Sequence, residues 1–303
     1  MPELAEVEFY RRRWFEAGNR GVVRAAVAEP RSRDFRHLEV EFRGGAKALA
    51  RALVGTRLVE SSTHGKQMWF VFAPISPAKA KKAAQASRLW LGIHLGMSGE
   101  LRVEPRDYRP ARHDALVLCL KAKTLVFYDP RQFGRVRAWS GPRGEKPLWL
   151  HELPPAVTTA KFTSGLVRAA LARHARAPLK AVLLQQDHFP GIGNWMADEI
   201  LWRAGLHPAL PAGRAATAKI SARVHTVIQE VADDALRVIA GVGGKLPPDL
   251  NVHIPESWLF QHRWRDGGRC PKTGTPLLRA EIGGRSTCWS PARQKLPRRA
   301  QVK

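Results

Sequence analysis

The chain has 303 residues, 44% of them hydrophobic, and carries 50 Lys and Arg against 26 Asp and Glu, a formal net charge of +24. That length suggests two domains with sizeable cores; no run of about 18 apolar residues appears, which argues against a transmembrane helix. The charge favours a polyanionic partner through counterion release, and aromatics interleaved with the basic residues, including ten tryptophans, point to nucleic acid.

The opening MPELAEVEF carries acids where a signal peptide carries basic and then apolar residues, so a soluble cytoplasmic protein is expected. Three scattered cysteines, Cys119, Cys270 and Cys288, read as reduced thiols rather than a disulfide framework. From Glu3 to about Ala17 apolar residues recur at helical spacing with few breakers, which predicts a helix. From about Val22 to Trp139 short β-rich runs follow: LEVEF, TRLVESSTHGKQMWFVF, LWLGIHL, ELRVEP, DALVLCL and TLVFYD. Turn residues punctuate them, the signature of an antiparallel sandwich or barrel. The basic, low-complexity stretch AKAKKAAQAS at 78–87 is expected to be a long exposed loop. Gly, Pro and charge at 141–155 suit a linker, and residues 158–240 have helical periodicity. A short, glycine-punctuated β-like segment at 258–294 precedes the basic tail KLPRRAQVK, expected to be disordered.

Chemistry begins at Pro2. Removal of Met1 from before a small second residue leaves a secondary amine with a pKa of about 8 or higher, appreciably unprotonated near neutrality. Such an amine can attack C1′ of a nucleoside, displace the base as an iminium forms, and so acidify the neighbouring sugar proton for phosphate elimination. Glu3 is placed to protonate the ring oxygen or shuttle protons, and Glu6, one turn on, to hold the constellation. Taken alone, the segment also suits an ordinary helix start, with a proline and acids at the positive end of the dipole. The string PGIGNWMADEILWRAGLHP at 190–208, after PLKAVLLQQDHF, is more specific. It describes a tight glycine turn and a helix from about Asn194 to Gly205, whose first amides, with the Asn194 side chain, form an anion site suited to a DNA phosphate.

On these residues the chain resembles the formamidopyrimidine-DNA glycosylase/endonuclease VIII family over nearly its whole length. PELAEVE is similar to the family's PELPEVE, with Ala5 in place of a proline, and GIGN to its helix–two-turn–helix. HGKQMWF resembles the hairpin whose lysine, here Lys66, contacts phosphate and assists catalysis. HLGMSG with Met97 and DPRQFG with Arg131 and Phe133 resemble the loops supplying the void-filling triad. GGRST with Arg285 resembles the phosphate-gripping turn. The resemblance implies that Lys66, Asn194 and Arg285 meet the phosphates flanking a flipped nucleotide. Met97 and Phe133 would fill the hole it leaves, and Arg131 would hydrogen-bond the orphaned base. Lys180 is a further phosphate or base-pocket candidate.

Departures matter as much. Many family members carry a zinc ribbon spaced C-x2-C-x16-C-x2-C, which here falls on Cys270, Thr273, Ser290 and Arg293. One ligand survives and a cation stands in the set, so no metal is expected and the finger is expected to be zincless. Gln132 replaces a second arginine of DPRRFG. GGKLPPDLNVHIPESWLFQHRW is shorter than the stretch that covers flipped 8-oxoguanine, which argues against efficient removal of that base.

The expectation is therefore an α+β protein: an N-terminal helix with a two-layered antiparallel β-sandwich, then a helical helix–two-turn–helix domain ending in a zincless β-hairpin finger. The boundaries are 1–145 for the catalytic sandwich, 146–157 for a linker, 158–250 for the helical domain, 251–295 for the finger and 296–303 for the tail. It implies a bifunctional glycosylase and abasic-site lyase of base excision repair, removing oxidised bases with β,δ-elimination. It would act as a monomer on damaged double-stranded DNA in the cleft between the domains, with no membrane and no cofactor. The alternatives are an endonuclease VIII-like preference for oxidised pyrimidines and a catalytically weak lesion-binding member.

Overall fold

The structure, a computed structural model, describes residues 2–19, 21–28, 45–75 and 87–296. The LEVEF run, the removal of Met1, all but Ser87 of the low-complexity stretch and the last seven residues lie outside that range. The chain divides into two compact units, Met1–Leu153 and Pro154–Lys303. No helix among the described residues is long and apolar enough to cross a membrane.

The first unit starts with helix α1 (Leu4–Gly18), entered through a reciprocal capping box in which the Glu3 amide donates to Glu6 Oε2 at 3.1 Å. Among the described residues eight strands follow: β1 (Ala25–Val27), β2 (Thr56–His64), β3 (Gln67–Pro74), β4 (Arg88–His94), β5 (Glu100–Pro105), β6 (Asp114–Cys119), β7 (Lys123–Tyr128) and β8 (Arg135–Gly141). They form two antiparallel four-stranded sheets, in the orders β1-β6-β7-β5 and β2-β3-β4-β8. Helix α1 packs on both sheets. The Trp14 ring lies 5.2 Å from that of Phe70 on β3, tilted by 49°, and donates its indole N–H to the Arg102 carbonyl on β5. The end of α1 packs closely on both sheets: a Cβ at Gly18 would lie 2.8 Å from Leu125 Cδ1 of β7 and 3.2 Å from Leu58 Cδ2 of β2.

Two elements depart from the sequence reading. Residues Gly45–Leu53 form a helix, α2, inside the stretch expected to be β-rich, burying only Leu49 and Leu53. Strand β8 lies mostly within the β-rich stretch but in none of its named runs, although its inward Val136 and Ala138 alternate with Arg135, Arg137 and Trp139 as in a half-buried strand. The linker-like composition from Gly141 onward misleads in part. The Trp149 ring abuts Gly92, where a Cβ would sit 3.0 Å from it, so this segment covers β4.

The second unit holds α3 (Ser164–Arg173), α4 (Leu179–Leu183), α5 (Asn194–Ala204), α6 (Ala212–Ala215) and α7 (Ala218–Ala240), then the hairpin β9 (Leu278–Ile282) and β10 (Arg285–Trp289). Thr163 and Thr217 cap α3 and α7 by accepting from the amides three residues on. Helix α5 ends on Gly205 in the left-handed region at φ 63°. Every residue of α5 except Asn194 and Arg203 is buried, so its acids Asp198 and Glu199 need internal partners.

Candidate functional site

Pro2 is half-buried and directly precedes the capping box, while Glu3 is 2% exposed. The Glu3 amide is tied to Glu6, and the Glu3 carboxyl accepts in return from the Glu6 amide, so the residue next to Pro2 is held by both arms of the box. Farther along, Glu8 accepts from Arg11 Nη2 at 2.6 Å and from Thr63 Oγ1 at 2.9 Å, and Arg11 Nη1 donates to Ser61 Oγ at 2.6 Å. These pairs run antiparallel: stepping back along α1 from Glu8 leads to Glu3 as stepping on along β2 from Thr63 leads to the turn carrying Lys66. That turn is Gly65–Lys66, closed by the His64–Gln67 pair, with Gly65 at φ 59°.

The register of β3, β4 and β8 aligns Gln67, His94 and Arg135 in one row. Sequence reasoning passed over His94, although it heads the HLGMSG string. Burial, then Lys66, Arg135 and Arg137, push the His94 imidazole down to about 4, and its neutral Nδ1 accepts the Gly96 amide at 3.1 Å. Since the folded-state value lies below the ordinary 6.5, this neutral ring contributes stability that is complete above about 6.5 and lost as the pH falls towards 4. We expect His94→Gln to lose less melting temperature than wild type between pH 7 and pH 4; parallel curves would refute the assignment.

Met97 and Phe133 belong to loops that meet backbone to backbone: a Cβ at Gly96, itself at φ 64°, would lie 2.4 Å from the Phe133 carbonyl carbon. Only glycine permits that approach, so the two predicted wedge residues are brought together by residue 96. Phe133 is 53% exposed and therefore not core, and the Arg131 guanidinium sits over its ring at 5.2 Å, while Met97 is half-buried. Asp129 shapes this tip by accepting from the Gln132 amide at 3.1 Å and the Gly134 amide at 2.6 Å. Gln132 is thereby held at φ 59°, a region most side chains avoid.

In the second unit, the glycine turn before α5 is closed by Gln186, which donates to the Leu184 and Ile192 carbonyls and accepts the Gly191 amide. Asn194 opens α5 and donates to the Ser286 carbonyl at 3.0 Å. Arg285, exposed, follows the turn Gly283–Gly284, whose residues have φ 62° and 72°, the geometry of a type I′ hairpin. Gly283 also abuts Ala181 of α4. Asn194 and Arg285 thus occupy neighbouring positions around Ser286.

Lys180 requires a correction. Expected as a phosphate or base-pocket contact, it is 0% exposed. Its ammonium pairs with Asp198 at 2.7 Å and donates to the Ser286 carbonyl and Thr287 Oγ1, both at 2.8 Å. Asp198 also receives Arg263 at 2.6 Å and the Cys288 amide at 3.1 Å. A cation with these partners positions the hairpin and is withheld from solvent phosphate.

The zinc-ribbon positions do not suit a metal. Cys270 Sγ accepts the Trp202 indole N–H at 3.4 Å, Thr273 exchanges a hydrogen bond with Thr275 at 2.7 Å, and the Arg293 guanidinium lies 5.4 Å over the Trp202 ring. Burial pushes the Cys270 thiol up, but hydrogen bonds led by Thr273 and Trp202 outweigh it and hold it down to about 7. Burial and Asp198 push Cys288 up to about 11, the reverse of a metal-binding thiolate.

The first unit matches the model of the formamidopyrimidine-DNA glycosylase N-terminal domain over residues 1–136, and residues 153–244 match that of the formamidopyrimidine-DNA glycosylase H2TH domain. A formamidopyrimidine-DNA glycosylase of Thermus thermophilus is 34% identical over 302 residues, covering 97% of this chain and 98% of its own. The chain belongs to the formamidopyrimidine-DNA glycosylase family. The formamidopyrimidine-DNA glycosylase of a Nocardioides species is 32% identical, over 100% of this chain and 97% of its own. The fold is shared with Lactococcus lactis Fpg (MutM) bound to DNA containing N7-benzyl-Fapy-dG, at a TM-score of 0.76 and 24% identity over 97% of this chain and 100% of that one. The same protein bound to DNA with an abasic site gives a TM-score of 0.73 at 25% identity, with the same coverage. For a formamidopyrimidine-DNA glycosylase, the residues that sequence reading missed are His94, Gln186 and the Asp198–Arg263 pair. Of these, His94 lies in HLGMSG, Gln186 in PLKAVLLQQDHF and Asp198 in PGIGNWMADEILWRAGLHP, while Arg263 lies outside every quoted string.

Proposed function

We propose that this DNA glycosylase of base excision repair is bifunctional, removing formamidopyrimidines and other oxidised bases from duplex DNA and then cutting the strand by β,δ-elimination through the Pro2 amine. The Pro2 lone pair forms a bond to C1′ as the glycosidic bond breaks and the base departs. Glu3 gives its proton to the ring oxygen as the C1′–O4′ bond opens, leaving an iminium. Loss of the C2′ proton expels the 3′ phosphate, a second elimination expels the 5′ phosphate, and water frees the amine. Lys66, Asn194 and Arg285 hold the flanking phosphates; Met97, Phe133 and Arg131 occupy the space vacated by the flipped nucleotide. The protein acts as a cytoplasmic monomer without a cofactor, because the amine is itself the electron sink.

The observation that supports this reading is the buried Glu3–Glu6 capping box, which holds a carboxyl on the residue next to Pro2. The names of the relatives support formamidopyrimidines as the substrate class. The test is borohydride trapping on duplexes with an abasic site, a formamidopyrimidine, 8-oxoguanine or an oxidised pyrimidine. A covalent adduct lost when Pro2 is blocked is expected, with 8-oxoguanine the poorer base substrate. No adduct on any duplex would defeat the mechanism, and strongest trapping on the oxidised pyrimidine would move the preference to that class.

A further inference from the structure

Away from the phosphate-facing residues, two imidazoles meet with no role in the proposed chemistry. His174 ends α3 as its C-cap, its amide held by the Ala170 carbonyl at 3.2 Å. His188 lies in the connection between α4 and α5, its amide held by the Gln185 carbonyl at 3.1 Å. Their Nε2 atoms face each other at 3.3 Å, with the rings tilted by 59°. Both side chains are half-buried, so one side of the pair is open to water. The His188 ring is braced edge-on by Phe189, which is braced in turn by Phe162.

From this geometry we infer a metal site: His174 and His188 hold a borderline divalent transition ion, such as Zn2+, through their Nε2 atoms, with water completing the coordination. Two imidazole nitrogens on a tetrahedral ion with bonds of about 2.0–2.1 Å stand about 3.3–3.4 Å apart, and the two Nε2 atoms already stand 3.3 Å apart. Imidazole is the favoured protein ligand for Zn, Cu and Ni. The ion replaces the proton that the two rings otherwise share. Burial, His174 and Arg173 together lower the proton affinity of His188, which keeps its lone pair available near neutrality; Asp187 acts in the opposite direction. Arg173 opposes a cation here and Asp187 favours one, so the affinity rests on the two nitrogens. Occupancy clamps the end of α3 to the segment that leads into the Gln186 turn and Asn194.

Calorimetric titration of Zn2+ into the full chain tests this, beside His174→Gln, His188→Gln and, as a control, His207→Gln. One strong site is expected in the wild type and the control. Either site variant should weaken it at least ~10-fold, the scale on which even outer partners change metal affinity. Zn2+ should also raise the melting temperature of wild type and not of His188→Gln. Equal binding by all four proteins, or none by wild type, overturns the site. Addition of Co2+ to the unmodified protein gives a reading independent of any variant: two histidine resonances, those of His174 and His188, should shift. A shift confined to other histidines overturns it as well.

Discussion

Glu3→Gln is expected to slow base release by about 10²–10⁴-fold, the usual contribution of a positioned proton donor. Nicking of a duplex already carrying an abasic site should fall far less. In that substrate the base is gone and the open-chain aldehyde accepts the Pro2 amine without ring-oxygen protonation. Glutamine keeps a side-chain oxygen to accept at the start of α1, so the capping box and the melting temperature should be nearly preserved. Single-turnover rates on formamidopyrimidine and abasic duplexes separate the two steps. Equal losses on both would assign Glu3 to the amine rather than to the ring oxygen. No loss on either would remove it from the chemistry.

The second large effect is on stability. Asp198→Ala leaves the ammonium of Lys180 and the guanidinium of Arg263 buried without their shared carboxylate. Breaking a buried pair by deleting one partner costs about 3–5 kcal/mol, because the remaining charge stays desolvated. Urea unfolding followed by tryptophan fluorescence should register that loss in the second unit, where Trp195 and Trp202 are buried on the same helix. Lys180→Met should cost less, since Asp198 keeps Arg263 and the Cys288 amide while methionine fills similar volume. Equal costs for both variants would contradict the view that Asp198 is the hub.

Much of this was legible in one dimension because the signals are local. The helix at the start, the strand runs and the α5 segment each carry their periodicity and punctuation within a dozen residues, and Gly205 marks the end of α5 as expected. What escaped depends on partners far along the chain. Lys180 looks like a surface cation in PLKAVLL until Asp198, 18 positions on, and Ser286 of the hairpin are seen to claim its protons. Helix α2 hides because it is nine residues long and sits among runs that read as strands, although its own pattern is amphipathic. His94 reads as a strand-end residue until the sheet register sets it beside Gln67 and Arg135, next to the Lys66 turn. Among the candidate positions, Phe133 and Arg131 gain most from three dimensions, since exposure separates a wedge from a core aromatic and a sequence does not encode exposure directly.

The tip bearing Arg131 and Phe133 is a stretched shape, with Gln132 left-handed and two amides drawn onto Asp129. A free peptide of this sequence would seldom visit that shape, and holding a non-glycine residue there costs on the order of 1–3 kcal/mol. The expense falls at folding, once per molecule, rather than at each meeting with a duplex. Under the wedge role proposed for Arg131 and Phe133, the enzyme searches DNA with its probe already set, and the ordering that a flexible loop would demand at every base pair is not drawn from the energy available to pry a damaged nucleotide out of the stack.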